Sequence, residues 1–176
     1  MLYLKPIKQR LIALNLASPH DLIGCTMREI IELEQQLGVA GTPPYKGGAC
    51  CDRPAAVKLP RAYQEFLRIM GKGAGQFLRG SDCFYDQLLD LQQAAGELLA
   101  ENHFLGKIPD DAFVFFMHQG YQFSFFRLSE GDNPPTYSYC EGEQHQSFIK
   151  THERYSEFLA TEVELHQKYL ITVTTP

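Results

Sequence analysis

The most suggestive catalytic motif in the sequence is a histidine followed directly by a glutamate, at His152 and Glu153. A zinc-protease helix carries a second histidine one turn later, so that both imidazoles bind the metal from one face. That position is Ser156 here, and the next histidine, His166, lies too far along the chain to share the turn. The spacing argues against a metalloprotease, and we expect no metal site.

A glycine-rich segment, Gly71 to Gly75, has the composition of a phosphate-binding loop and contains Lys72. A Walker loop needs its lysine to be followed by serine or threonine and then by a helix, because backbone amides at the helix start contact the phosphates. Here the glycines follow a predicted helix, and Lys72 is followed by Gly73. We therefore interpret the segment as a helix stop and a flexible connection.

The remaining candidates for acid–base or nucleophilic chemistry are scattered histidines and paired carboxylates. No histidine lies in a known nucleophile motif, and nothing in the sequence brings one beside a cysteine. The carboxylate pair Asp110–Asp111 is best explained as the solvated entry to a strand. The chain is therefore predicted not to be an enzyme and to need no cofactor. The histidines that could in principle pair with a cysteine are His103, His118 and His145.

The cysteines are five in number, and their spacing matches no disulfide framework. Cys50 and Cys51 are adjacent, which is poor geometry for holding one metal ion between them. We expect reduced thiols, an expectation that fits a cytoplasmic protein. The full set is Cys25, Cys50, Cys51, Cys83 and Cys140.

The charge balance is mildly acidic, with 16 lysines and arginines against 21 aspartates and glutamates and a formal net charge of -5. Nucleic-acid binding needs a basic face to neutralise phosphates, so this balance disfavours it, whereas a basic protein partner is compatible with it. No apolar run approaches the roughly 18 to 20 residues of a membrane span. The sequence predicts a cytoplasmic protein that binds neither nucleic acid nor membrane.

Amphipathic patterns predict a series of helices. Thr26 and Glu29 form a capping box, in which each side chain bonds the other residue's backbone amide. A proline at Pro60 is tolerated where a helix begins, because the first amides need no helical partner. The predicted helices are a weak one over residues 7–16; one with apolar Met27, Ile30, Ile31, Leu33 and Leu37 that ends at Gly38; one with Tyr63, Phe66, Leu67 and Met70; one with Phe84, Leu88, Leu91, Ala95 and Leu98; and one over residues 147–169.

Aromatic, β-favouring runs follow residue 111. Phe113–Met117 and Gln122–Leu128 are predicted to form a hairpin around His118–Tyr121, and Thr136–Cys140 a third strand. The order of elements predicts an α+β fold with a compact antiparallel sheet flanked by helices. We expect residues 1–21 to form an N-terminal helical extension and residues 22–170 a single domain.

Several of these segments resemble, in order and spacing, the SUKH superfamily of bacterial toxin-immunity proteins and fungal cell-wall-synthesis regulators. The stretch Leu59-Pro60-x-x-Tyr63-x-x-Phe66-Leu67-x-x-Met70-Gly71 is similar to the family's signature helix, and the segment 111–123 to its central strands around a nearly fixed glycine, here Gly120. Residues 134–142 resemble the next strand and its exit. The resemblance covers roughly residues 22 to 165, and the insert Gly41–Pro54, of open function, departs from the family pattern.

The resemblance implies a twisted antiparallel sheet wrapped by helices, no catalytic residues, and activity by masking another protein. Many bacterial members are similar to immunity proteins that bind and block a toxin encoded by a neighbouring gene, often a nuclease. Other members act as regulatory scaffolds, so a scaffold or adaptor with other protein partners is the alternative. We expect a monomer or a weak dimer.

The expected contact surface combines tyrosines and glutamates near strand ends, because aromatic rings with polar tips suit an exposed interface. The alternative is that the tyrosines are half-buried sheet residues and the glutamates belong to a solvated loop. A third hypothesis is a small-molecule site in an aromatic pocket among Phe115, Phe125 and Tyr137. The predicted partner-binding residues are Tyr121, Tyr137, Tyr139, Glu141 and Glu143.

Overall fold

The computed structural model of this chain describes residues 3–40, 57–142 and 147–174. The insert Gly41–Pro54, with Cys50 and Cys51, lies outside these residues, and so do Glu143 and His145. The elements in chain order are α1 (Lys5–Ala13), β1 (Leu22–Ile23), α2 (Met27–Ala40), α3 (Arg61–Met70), β2 (Gly73–Ala74), β3 (Ser81–Asp82), α4 (Leu88–Glu101), β4 (Ala112–His118), β5 (Gln122–Arg127), a 3-10 turn (Leu128–Glu130), β6 (Thr136–Cys140), β7 (Ile149–His152) and α5 (Tyr155–Thr174).

The main sheet is antiparallel and has the strand order β3-β4-β5-β6-β7, so each strand pairs with its neighbour in the sequence. The predicted hairpin is confirmed as β4 and β5, and the predicted third strand as β6. Strands β1 and β2 form a separate two-stranded ladder beside it. The α+β fold class predicted from the sequence is confirmed.

Helix α1 is not detached from the rest of the structure. Its Ile7 and Leu11, together with the preceding Leu4, are buried in the same hydrophobic core as the sheet. The guanidinium of Arg10 lies 3.2 Å from the carboxylate of Glu164 on α5. The segment that the sequence marked as an extension therefore packs against the last helix. No helix among the described residues is long and apolar enough to cross a membrane.

The predicted capping box at the start of α2 is confirmed. The amide of Thr26 donates to Glu29 Oε2 at 2.8 Å, and the amide of Glu29 donates to Thr26 Oγ1 at 3.3 Å. The predicted apolar face was too wide, because Met27 and Ile31 are 49% and 47% exposed. The predicted stop was also wrong, since α2 continues through Gly38 to Ala40.

The single helix predicted over residues 147–169 is wrong in its first part. Residues 149–152 form β7, which pairs with β6, and α5 begins only at Tyr155. The hydroxyls of Thr136 and Thr151 lie 3.0 Å apart across these two strands. Asn133 then fixes the helix start, because its Oδ1 accepts the amide of Ser156 at 3.0 Å.

A β-bulge in β4 sets which side chains face the helices. The register with β5 shifts between Val114 and Phe116, and the rings of both Phe115 and Phe116 reach Phe158 of α5, with centroid distances of 5.0 and 5.4 Å. Phe125 instead stacks on Tyr137 on the other face of the sheet. The hypothesised pocket among Phe115, Phe125 and Tyr137 is therefore wrong, since its two phenylalanines belong to opposite faces.

The centre of the core is the ring of Tyr63 on α3, which is fully buried. It contacts rings from α3, β4, β5 and α5, so one side chain joins two helices to the sheet. Its hydroxyl has no hydrogen-bond partner among the described residues. The contacting rings, at centroid distances from 5.3 to 6.2 Å, belong to Phe66, Phe113, Phe115, Phe126 and Tyr155.

We predict that Tyr63→Ala lowers the free energy of unfolding by about 3 to 5 kcal/mol, because it leaves a cavity amid five rings. Tyr63→Phe should keep the stability within about 1 kcal/mol of wild type or raise it, because it removes only an unpaired hydroxyl. Urea unfolding of both variants measures the difference. A loss in Tyr63→Phe as large as that in Tyr63→Ala would contradict the ring-packing account.

Candidate functional site

Tyr137 and Tyr139 lie side by side on the face of the sheet opposite α5. Tyr137 stacks on Phe125 at 5.4 Å, and Tyr139 stacks on Phe123 at 5.5 Å. Both are half-buried, and the hydroxyl of Tyr137 donates to Glu130 Oε1 at 2.9 Å. Desolvation raises the pKa of both phenols, so they are neutral near pH 7. Both rings are therefore only partly accessible to a partner.

The loop after α4 covers part of that face. The ring of Phe104 lies 5.1 Å from those of Tyr139 and Phe148, measured between centroids. The next residue, Leu105, is 88% exposed. Leu105 and Phe104 thus place two neighbouring apolar side chains at the surface of this loop, one exposed and one packed on the sheet.

Tyr121 and Glu141 lie together at the end of the sheet where β4 turns into β5. The amide of Glu141 donates to the carbonyl oxygen of Tyr121 at 2.9 Å, and both side chains are exposed. The ring of Tyr121 also meets the edge of His118 at 5.9 Å. The described members of the predicted interface thus divide into this pair and the tyrosine pair on β6, while Glu143 lies outside the described residues.

A surface that the sequence interpretation missed is a line of carboxylates on α4. Asp90, Glu97 and Glu101 are exposed, and their spacing of seven and then four residues aligns them on one side of the helix. The line spans about 16 Å at the rise of an α-helix. Between Gly80 and Gly106 the chain has no lysine or arginine. We call these three residues the α4 acidic stripe.

The stripe residues have no cationic partner among the described residues, and Asp82, Asp86 and Glu141 share that state without being aligned on one helix. Eight other acidic side chains lie close to a basic one, as Glu29 does to Lys72 at 2.5 Å. Within the part of the chain that the structure describes, no stripe residue forms an ion pair. Glu97 Oε1 only accepts a hydrogen bond from the side-chain Nε2 of Gln93, at 2.7 Å. The paired carboxylates are Glu29, Glu32, Asp110, Asp111, Asp132, Glu153, Glu157 and Glu164.

Helix stability explains only one member of the stripe, because Asp90 lies in the first turn of α4, where the helix dipole favours a carboxylate. Glu97 and Glu101 occupy the C-terminal half of α4, where the dipole is negative, and the last turn has no basic residue. A carboxylate at that end costs about 0.3 to 1 kcal/mol instead of stabilising the helix. The charges are therefore available for an interaction with a cationic surface outside the chain.

The orientation of the stripe follows from the buried apolar face of α4 and from the side chain of Gln92. The amide group of Gln92 donates to the carbonyl oxygen of Val114 at 2.7 Å and accepts the Val114 amide at 2.9 Å. These bonds satisfy the outer edge of β4 at the bulge, where no strand pairs with it. Because both ends of the amide are engaged, α4 is held against the sheet with its acidic side outward.

A separate polar cavity of about 500 Å³ lies between β3, the β4–β5 turn and α5. Ser81 Oγ and His118 Nδ1 are 2.9 Å apart in its wall. His166 is fully engaged, because its Nε2 accepts the amide of Leu78 and its Nδ1 bonds the carbonyl oxygen of Glu162. The carboxylate of Glu162 has no hydrogen bond or ion pair among the described residues. Burial raises its pKa to about 7.

No family model and no curated protein matches this chain. The resemblance to the SUKH superfamily and the absence of enzymatic activity accordingly stay predictions.

Glu162 should make the protein less stable as the pH rises. Its carboxyl has a folded-state pKa of about 7 against 4.5 for an unperturbed glutamate, so the folded state binds the proton more tightly. The stabilising contribution of the protonated Glu162 is then fully present below pH 4.5, and about 3 kcal/mol is lost as the pH rises to about 7.

The variant Glu162→Gln cannot lose that proton, so relative to wild type it should gain stability between pH 5 and pH 8. Urea unfolding at the two pH values measures this, with Glu164→Gln on the same helix as the control. An identical difference between Glu162→Gln and wild type at both pH values would contradict the burial of Glu162.

Proposed function

We propose that this chain is a cytoplasmic, non-enzymatic immunity protein that binds a basic bacterial toxin and blocks it, with the α4 acidic stripe at the centre of the interface. The observation that carries the proposal is that Asp90, Glu97 and Glu101 are exposed, aligned and without cationic partners among the described residues. The resemblance to SUKH immunity proteins points in the same direction.

The stripe suits a toxin that acts on nucleic acid. A nuclease needs a basic groove, because phosphate contacts supply most of its affinity for the substrate. Aligned carboxylates opposite such a groove attract it over distance and raise the association rate. A rigid helix that occupies the groove then excludes the substrate without any reaction.

Leu105 supplies the apolar contact that charge alone does not. Interface energy concentrates in a few desolvated side chains, while a charged rim sets orientation and rate. Leu105 follows Glu101 by four residues and sits beside the anchored ring of Phe104. The ring of Phe104 contacts Tyr139, which is one of the partner-binding residues predicted from the sequence.

A regulatory scaffold with other partners is the second candidate function. One observation favours it: Ile23, Met27 and Ile31, on and just before α2, are exposed apolar side chains outside the α4 acidic stripe. An adaptor needs two binding surfaces. A gene without a toxin-like neighbour would also favour this function.

The first test is a binding titration of this chain against the protein encoded by the adjacent gene. An affinity near nanomolar, about -12 kcal/mol, is expected for an immunity pair. The double variant Asp90→Lys with Glu97→Lys should weaken binding by at least about a hundredfold, mostly because the association rate constant falls. That rate constant should also become insensitive to salt concentration.

The matched control is Asp21→Lys with Asp82→Lys, which makes the same change in net charge at two exposed positions that also have no ion pair among the described residues and lie outside α4. It should weaken binding by no more than about threefold, since only long-range attraction changes. Equal losses in the two double variants would contradict a specific role for the stripe.

We also predict that Leu105→Ala weakens the complex by about tenfold or more, chiefly by faster dissociation, because it removes a desolvated anchor. Its urea unfolding curve should match wild type, because the side chain is 88% exposed in the free protein. Leu89→Ala, at a half-exposed position on α4, is the comparison variant. An unchanged dissociation rate in Leu105→Ala would remove Leu105 from the interface.

A further inference from the structure

The cavity beside the β4–β5 turn contains features that a purely structural role does not explain. We propose that it binds a small organic cation, a primary ammonium or guanidinium compound, with the carboxylate of Glu162 as the anionic partner. This inference is independent of the proposed function, because no residue of the α4 acidic stripe lines the cavity.

The first observation is the state of the Glu162 side chain. It is half-buried, it lines the cavity, and it has no hydrogen bond or ion pair with any described residue. A carboxylate that is partly desolvated in a cleft without a partner loses some of its hydration, and such groups are often functional. A ligand cation inside the cavity would supply the missing partner.

The second observation is the aromatic wall of the same cavity. The rings of Phe116 and His118 lie parallel at 6.4 Å, and Tyr121 meets His118 edge-on at 5.9 Å. Phe116 and Tyr121 both line the cavity. A carboxylate beside aromatic rings is the combination that recognises organic cations, because the ring faces also attract positive charge.

The polar neighbours of Glu162 form no ion pair with it. Arg79 also lines the cavity, but its Nη1 donates to Gln76 Oε1 at 3.0 Å, and its positive charge limits a bound cation to the side of the cavity nearer Glu162. His118 is bonded to Ser81. Both nitrogens of His166 have partners. Among the described residues there is also no group of three side chains that could hold a metal ion.

The size of the cavity favours a free molecule. About 500 Å³ falls within the range of small-molecule sites and exceeds what one lysine or arginine side chain from a protein partner would fill. Two further polar residues of the lining, Gln119 and Gln122, can hydrogen-bond other polar groups of such a ligand. The fit is to a compound of several carbon atoms with one or two cationic nitrogens.

The test is isothermal titration of the full chain at pH 8 with putrescine, L-arginine and, as an uncharged control, 1,4-butanediol. We expect at least one cation to bind with a Kd below about 1 mM and the diol not to bind. Glu162→Gln should weaken the cation at least tenfold, and Glu164→Gln should not change it.

The pH dependence gives a second readout that does not need a variant. The groups facing Glu162 are Arg79 before β3, Cys83 after it, His118 on β4 and His166 on α5. Cation affinity should rise between pH 6 and pH 8 as Glu162 ionises. A cation that binds equally at both pH values would contradict its pairing with Glu162.

Three outcomes would overturn the proposal. One is the absence of cation binding at millimolar concentrations. Another is binding that Glu162→Gln and Glu164→Gln weaken equally, which would mean attraction to the overall negative charge. The third is binding of a lysine-containing tripeptide without binding of the free amines, which would assign the cavity to a side chain of a protein partner.

Discussion

The buried ring of Tyr63 is the contact on which the rest of the structure depends. It touches Phe113 and Phe115 on β4, Phe126 on β5 and Tyr155 on α5, so the helices and the central strands share one aromatic centre. Edge-to-face contacts of this kind restrict the angles between rings as well as their distances. The sheet therefore has one position relative to α3 and α5.

The position of β4 determines the position of both candidate surfaces. Gln92 binds the edge of β4 at Val114 and thereby orients α4, which carries the acidic stripe. His118, the last residue of the same strand, forms the wall of the cavity near Glu162. Surfaces held by a rigid strand lose little conformational entropy on binding, and this favours tight association through a preformed face.

Much of the fold could be predicted because its signals are local. The capping box of α2, the apolar spacing of α3 and the aromatic alternation of the hairpin all act within a few residues. Strand β7 could not be predicted in this way, because Ile149–His152 forms a strand only by pairing with β6. The bulge in β4 is equally non-local, and without it Phe115 and Phe125 were wrongly placed in one pocket.

The candidate surfaces were harder to predict than the fold. The absence of basic residues between Gly80 and Gly106 is visible in the sequence. That Asp90, Glu97 and Glu101 form no ion pair with any described residue follows only from three-dimensional packing. The environment of Glu162 depends on elements 40 to 80 residues away, from β3 to the β4–β5 turn. Tyr137 and Tyr139 were identified as aromatic contacts, yet their stacking on Phe125 and Phe123 half-buries them.

The most direct measurement of the proposed interface is carboxyl labelling by carbodiimide and glycine ethyl ester, read by mass spectrometry on the free chain and on its complex with the adjacent gene's product. Labelling of Asp90, Glu97 and Glu101 should fall severalfold in the complex. Glu153 and Glu157, which lie just after β7 and at the start of α5, should be labelled at the same rate in the complex as in the free chain. Unchanged labelling of the stripe in a complex that demonstrably forms would contradict the acidic stripe as the binding surface.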